Sequence, residues 1–300
     1  RSLGDYRNAA ASFSVALSVT GRNPEILLSR GICLMKLRKF DEATALFSEL
    51  LERFPEVLEY RLQRALTSIA TADYGLAEQD LEYALKIDPE SVRIRLSLAK
   101  VFLQTQRQAE ADDIVEEILQ GNASNRADCI ARAQLRIRRD PDLALIELQD
   151  AEARFGPQPE IMQPMAHVLS ECLDRPEESI RVLDRLLERY PLYPMALCGR
   201  AVLNARDGNW AAAQQDLQVL EGHPGLLTDQ IRYQIACAYC LGARENSDLK
   251  DPAYRWLSRA ITGGYGRDLL TTDPDLQAVR GSAEFESIRK VAILLDKSGV

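Results

Sequence analysis

The stretch "DYGLAEQDLEYALKIDP", residues 73–89, decides the fold. It places alanine at 77, leucine at 81 and proline at 89, and these markers return at a fixed interval. Pro55, Pro89, Pro157 and Pro191 lie 34, 68 and 34 residues apart, with Ala123 where the missing proline would fall. Ala43, Ala77, Ala111 and Ala213 keep the same phase, each followed four residues on by Phe47, Leu81, Val115 or Leu217. The pairs Arg30–Gly31, Arg64–Ala65, Arg132–Ala133 and Arg200–Ala201 do so as well. Self-similarity at a fixed period of about 20–50 residues marks a repeat architecture.

Each period reads as two helices. In residues 24–57, "PEILLSRGICLMKL" is a first helix (helix A), "RKF" a turn and "DEATALFSELLERF" a second helix (helix B). Pro24 starts helix A, where its missing N–H costs nothing. Asp41 is expected to N-cap helix B. Pro55 ends the unit because it cannot continue a helix. Small residues at Gly31 and Ala43 let the helices approach, and Phe47 and Leu50 fill the space beside them.

This 34-residue helix–turn–helix resembles the tetratricopeptide repeat (TPR), bacterial type. Gly31, Ala43, Phe47 and Pro55 match its small, small, aromatic and proline positions, and Gly208, Trp210, Ala213 and Leu217 match its turn and helix B. The resemblance implies an all-α, TPR-type α-solenoid, a right-handed superhelix in that family. The expected organisation is a trailing helix B in 1–23, six repeats in 24–227, an extended last repeat in 228–265 and a helical cap in 266–300. The half-repeat at the start implies a fragment of a longer protein. Repeats four and five, with Leu145, Ser179 and His167 at small positions, should pack more loosely or be locally shifted. The cap resembles the closing segment of bacterial TPR arrays through Ala236, Cys237, Tyr239, Ala260, Ile261, Gly264, Tyr265, "DPDL" at 273–276, Arg280, Gly281 and Phe285.

Composition narrows the function. The chain has 300 residues, a net charge of −8 and 46% hydrophobic residues. An acidic chain is poorly suited to nucleic acid, whose recognition needs a basic field. No run approaches the ~18 apolar residues of a membrane helix, so no direct membrane contact by this segment is expected. The cysteines, Cys33, Cys129, Cys172, Cys198, Cys237 and Cys240, are too sparse for a disulfide framework and read as reduced, mostly small core residues in a cytoplasmic protein. Cys237 and Cys240 form a C-x-x-C within a helix A. A redox site needs that motif at a helix N-terminus after a strand, and a zinc site needs further ligands nearby, so packing is the expected role.

No catalytic constellation emerges. His167 and His223 are the only histidines, and neither accompanies a nucleophile motif. "GGYG" at 263–266 lacks the lysine and spacing of a phosphate loop. No catalytic residue, metal ligand or cofactor is expected, and the chain reads as non-catalytic.

Two rows could bind. Arg30, Arg64, Arg132 and Arg200 recur in phase, Arg136 and Arg139 extend one face of repeat four, and Lys100 is the basic residue of repeat three. They would form an anion-accepting concave groove, or they would pair internally with helix B carboxylates such as Glu42, Glu78 and Glu147. Charge reversal at Arg64 and Arg132 separates these readings: a groove loses binding alone, an internal pair loses the fold. The second row is Leu28, Ile32 and Met35, then Leu62, Leu66 and Ile69, then Leu96 and Leu103, spaced as an apolar groove or as a core stripe. TPR clamps for the acidic C-termini of heat-shock chaperones use lysine, asparagine and arginine where this chain has Leu28, Ile32, Leu62 and Leu66, so that specificity is not expected. The expected function is a protein–protein interaction scaffold gripping a protein or peptide partner, possibly acidic, with self-association open. The alternative is the regulatory or substrate-recruiting region of a larger enzyme, such as a bacterial serine/threonine kinase.

Overall fold

The computed structural model describes residues 3–123 and 125–298. Residues 1–2, 124 and 299–300 lie outside the described residues. The described residues are helical, with no strand among them. The chain divides into two compact units, one through Leu135 and one from Arg136.

The first unit opens with α1 (Leu3–Thr20), which packs on α2 (Pro24–Lys36). Helix pairs follow at the expected period: α2 with α3 (Phe40–Arg53), α4 (Leu58–Ala70) with α5 (Tyr74–Ile87), α6 (Val92–Gln104) with α7 (Gln108–Gln120). Asn23 caps α2, its side chain accepting from the N–H groups of Glu25 and Ile26. The cap expected at Asp41 lies elsewhere: α3 begins at Phe40, Lys39 occupies the cap without a side-chain bond, and Asp41 falls inside the first turn. The reason is the tight turn, which places the chain reversal at Arg38 and starts the helix earlier.

That turn is built the same way repeat after repeat. Arg38, Ala72, Gln106, Asp174 and Gly208 all take a left-handed backbone, with φ of 58°, 61°, 62°, 53° and 76°. The next residue then donates its N–H five residues back, as in Lys39 to Leu34 (2.9 Å), Asp73 to Ser68 (2.9 Å), Arg107 to Phe102 (2.8 Å) and Asn209 to Asn204 (2.8 Å). This closes a Schellman-type end and satisfies carbonyls that the helix leaves orphaned. Only Gly208 occupies the position without a Cβ penalty; each of the others carries about 1–2 kcal/mol of local cost. Repeat four breaks the series, since its equivalent residue, Asp140, has φ −152° and serves as the N-cap of the next helix.

Close packing follows from small residues. A Cβ at Gly31 would lie 2.5 Å from the Phe47 ring, so the aromatic fills the space that glycine leaves open. Phe47, Ala43 and Leu50 are fully buried. The apolar row of helix A faces the core more than solvent: Leu28, Ile32 and Met35 pack against this cluster, Leu62 is buried in the next one with Ala77 and Leu81, and Ile69 packs against it, while Leu103 keeps 47% exposure.

The second unit contains α9 (Pro141–Phe155), α10 (Pro159–His167), α11 (Pro176–Arg189), α12 (Pro194–Arg206), α13 (Trp210–Glu221), α14 (Asp229–Gly242), α15 (Lys250–Thr262) and α16 (Ala283–Ser298). One further helix, α8 (Arg126–Arg136), runs across the point of division. Repeat five is locally shifted. Pro164 sits inside α10, which passes into a π turn over Val168–Cys172. The Schellman bond there spans six residues, Arg175 to Leu169 at 2.8 Å, instead of five. Buried Ser179, standing where alanine recurs, donates its hydroxyl to the Ala166 carbonyl at 2.8 Å. Leu145, at the equivalent place in repeat four, is buried.

Candidate interaction surfaces

The in-phase arginines separate by what stands sixteen residues ahead. Arg64 donates to Asp80 through Nε (2.7 Å) and Nη2 (2.8 Å), and Arg61 adds a bond at 3.3 Å. Arg200 donates to Asp216 through Nε (2.9 Å) and Nη2 (2.7 Å). The remaining fork arm reaches sixteen residues back, to Ser48 Oγ (3.3 Å) from Arg64 and to Asp184 (2.6 Å) from Arg200. Each arginine therefore ties helix A of its repeat to its own helix B and to the preceding one. Asp80 and Asp216 are buried, so these are planar, bidentate, partly desolvated pairs. Where leucine replaces the aspartate, at Leu46 and Leu148, the arginine is engaged differently. Arg132 donates to the Gly121 carbonyl, and Arg30 has no carboxylate partner and a buried Nε without an acceptor among the described residues.

The other basic positions lie apart from this pattern. Arg136 donates to Glu147 at 2.8 Å. Arg139 and Lys100 are exposed. The helix B carboxylates named from sequence divide accordingly: Glu147 takes Arg136, whereas Glu78 pairs with Arg107 and Glu42 with Lys39.

The second unit contains a groove of about 580 Å³ between α10, α12 and α14. Its walls carry Gln163, His167, Arg206 and Gln234, and it is closed at one side by Asp273 and Asp275. His167 is exposed there rather than packed inside. The Gln163 amide donates to the Met195 carbonyl at 3.4 Å, and its Oε1 has no partner among the described residues. Of these residues, the sequence singled out His167 and the "DPDL" carboxylates. The glutamines and Arg206 carry no motif; what unites them is only that three separate helices bring them together.

The closing turn is a polar latch. Asp273 caps the short turn Pro274–Leu276 by accepting from the Asp275 N–H. Its Oδ2 accepts from Tyr233 Oη (2.9 Å) and faces the Cys237 thiol (3.7 Å). Asp275 is buried and receives Arg206 through two bonds, at 3.1 and 2.9 Å, while Arg206 also reaches Glu171 at 2.7 Å. The Cys237, Asp273 and Asp275 ligand atoms lie within 4.8 Å of one another. A metal would need a thiolate and free carboxylate oxygens; here the carboxylates are taken by protein donors, and burial with Asp273 nearby pushes the Cys237 thiol well up. Burial pushes Cys240 up to about 12 and raises the Tyr233 hydroxyl, whose neighbour Cys237 adds to the effect. That is opposite to the lowered pKa of a reactive C-x-x-C.

No helix among the described residues is long and apolar enough to cross a membrane. Models of the tetratricopeptide repeat match residues 68–134, and residues 1–57 and 173–225. Among solved structures, yeast Tom70 is 17% identical with a TM-score of 0.62, over 98% of this chain and 60% of that one. A human IFIT1 dimer with m7Gppp-AAAA is 18% identical with a TM-score of 0.59, over 91% and 68%. A tetratricopeptide repeat protein from Parabacteroides merdae is 14% identical with a TM-score of 0.57, over 91% of this chain and 100% of its own. At such identities the likeness shows the fold alone, and that fold is the all-α, TPR-type α-solenoid. Repeat period, turn geometry and family models agree: the chain belongs to the tetratricopeptide repeat family.

Proposed function

We propose that this chain is a non-catalytic protein-interaction scaffold whose helix A surfaces grip a segment of a partner protein. The observation that carries the reading is the groove of the second unit, lined by Gln163, His167 and Gln234. A carboxamide offers both donors and an acceptor, which suits the N–H and C=O groups of an extended peptide. Glu171, Asp273 and Asp275 outweigh Arg206 there, so a neutral or basic segment fits better than an acidic one.

In this reading Arg64 and Arg200 hold repeats together, as does Arg136 through Glu147. Arg30 and Lys100, with no ion pair among the described residues, are the basic positions of the first unit that would meet a partner's acid. Arg132 of the first unit and Arg139 of the second are each proposed as further partner contacts. A regulatory or substrate-recruiting role beside a catalytic domain would use the same surfaces. A cytoplasmic setting is proposed from the sparse cysteines, which lack the density of a disulfide framework.

The test is selection of peptides from a random displayed library, followed by titration on Gln163→Ala/Gln234→Ala. Loss of about tenfold or more in affinity, with unchanged helicity, supports the groove. Selected peptides that bind both proteins equally place recognition elsewhere.

A further inference from the structure

A second cleft of the second unit, about 790 Å³, lies between the end of α13, the start of α14 and the last turns of α15. Arg232, Arg255 and Arg259 line it around the Trp256 indole. This is a local basic concentration in a chain of net charge −8. Its carboxylates are already engaged. Glu221 accepts from both Trp256 Nε1 (3.1 Å) and Tyr239 Oη (2.8 Å), and Asp229 accepts from Arg232. Arg255 and Arg259 are exposed and have no ion-pair partner among the described residues.

The cleft is also ordered before any ligand arrives. The bond to Glu221 fixes the indole, and the fixed ring holds the Arg259 guanidinium at 4.9 Å from its centroid. Asp229 fixes Arg232 through one donor and leaves the rest of the fork open. Groups held in place by neighbours lose less freedom on binding.

We propose that this cleft is a binding site, separate from the helix A groove, for a carboxylate-rich segment of a partner protein. A carboxylate-rich strand is favoured over a phosphate group on two grounds. The guanidiniums come from two helices, Arg232 from α14 and Arg255 and Arg259 from successive turns of α15, which matches several carboxylates along a chain. The turn of α15 that lines it is a C-terminal one, whose carbonyls disfavour a compact dianion. The same bidentate arginine–carboxylate chemistry holds the repeats together at Arg64 and Arg200.

The experiment titrates a fluorescent hexaglutamate peptide into the full chain at low salt, reading anisotropy. Wild type should bind and weaken as salt rises. Arg255→Glu/Arg259→Glu, both exposed and remote from the core, should bind at least tenfold more weakly with unchanged circular dichroism. Arg189→Glu, on another helix, should match wild type. Equal binding by the Arg255/Arg259 variant, or no binding by wild type, overturns the proposal. Inorganic phosphate binding as tightly as the peptide overturns the carboxylate assignment. The helix A groove does not enter this test, since Gln163→Ala/Gln234→Ala leaves the cleft intact.

Discussion

Arg200 and Asp216, sixteen residues apart on the two helices of one repeat, form a bidentate pair that Arg64 and Asp80 reproduce in another. The Asp80 side chain is 0% exposed, whereas Arg64 keeps 18%. The burden is therefore asymmetric. Arg64→Ala strands a buried carboxylate, and removing one partner of a buried pair costs about 3–5 kcal/mol; Arg61, also on Asp80, holds the loss toward the lower end. Asp80→Ala lets the arginine turn to water and should cost less. Arg64→Glu, which sets two carboxylates together, should melt the first unit. Chemical denaturation of the variants and the double mutant checks the order.

Gly31 is expected to tolerate no side chain. Gly31→Ala forces the Phe47 ring aside and should cost about 1–3 kcal/mol, as overpacking does. Phe47→Leu in the same background should recover part of the loss, because it withdraws the clashing ring. A double-mutant cycle in urea reads that coupling.

The left-handed turn residues invert the usual effect of glycine. Ala72→Gly relieves a positive φ of 61°, so it should leave stability unchanged or raise it by up to about 1 kcal/mol. Ala65→Gly, in the buried middle of α4, should lower stability by about 1 kcal/mol or more. Paired urea midpoints distinguish the two.

Alkaline pH should destabilise the second unit through its thiols. A free cysteine ionises near 8.5, and burial moves Cys198 and Cys240 up to about 12. The folded state thus binds the proton more tightly. The contribution is fully present below about pH 8.5 and is lost as pH rises toward 12, at up to about 1.4 kcal/mol per pH unit for each thiol. Urea midpoints between pH 8 and 11 should fall less steeply in Cys198→Ala/Cys240→Ala.

Arg206 should govern closure of the C-terminal turn. Arg206→Met leaves Asp275, only 6% exposed, without its guanidinium. Amide exchange at Asp275 and Leu276 should accelerate by at least tenfold while that of α9 stays unchanged. Uniform exchange in the variant would place the latch elsewhere.

Much of this was legible in the sequence because it is local. The period, the helix pairs, the fit of Gly31 to Phe47 and the burial of Cys237 and Cys240 follow from residue size and spacing along one or two neighbouring helices. The shift in repeat five was signalled by His167 and Ser179, although its π turn was not. The phase shared by Asp80 and Asp216, with Leu46 one period before and Leu148 between them, was readable too; it needed the pairing of helices to give it meaning.

The sequence by itself determined the repeat and its helix pairs; whether the apolar row of helix A lines a groove or the core was decided by packing. Only the tertiary structure decided which arginines are consumed within the array and which face solvent. Their partners sit sixteen residues away on other helices, a distance at which spacing sets no contact. The same holds for the two clefts. Gln163, Arg206 and Gln234 come from three helices, and Arg232 and Arg255 from two, so their meeting depends on how helices pack rather than on any stretch of chain.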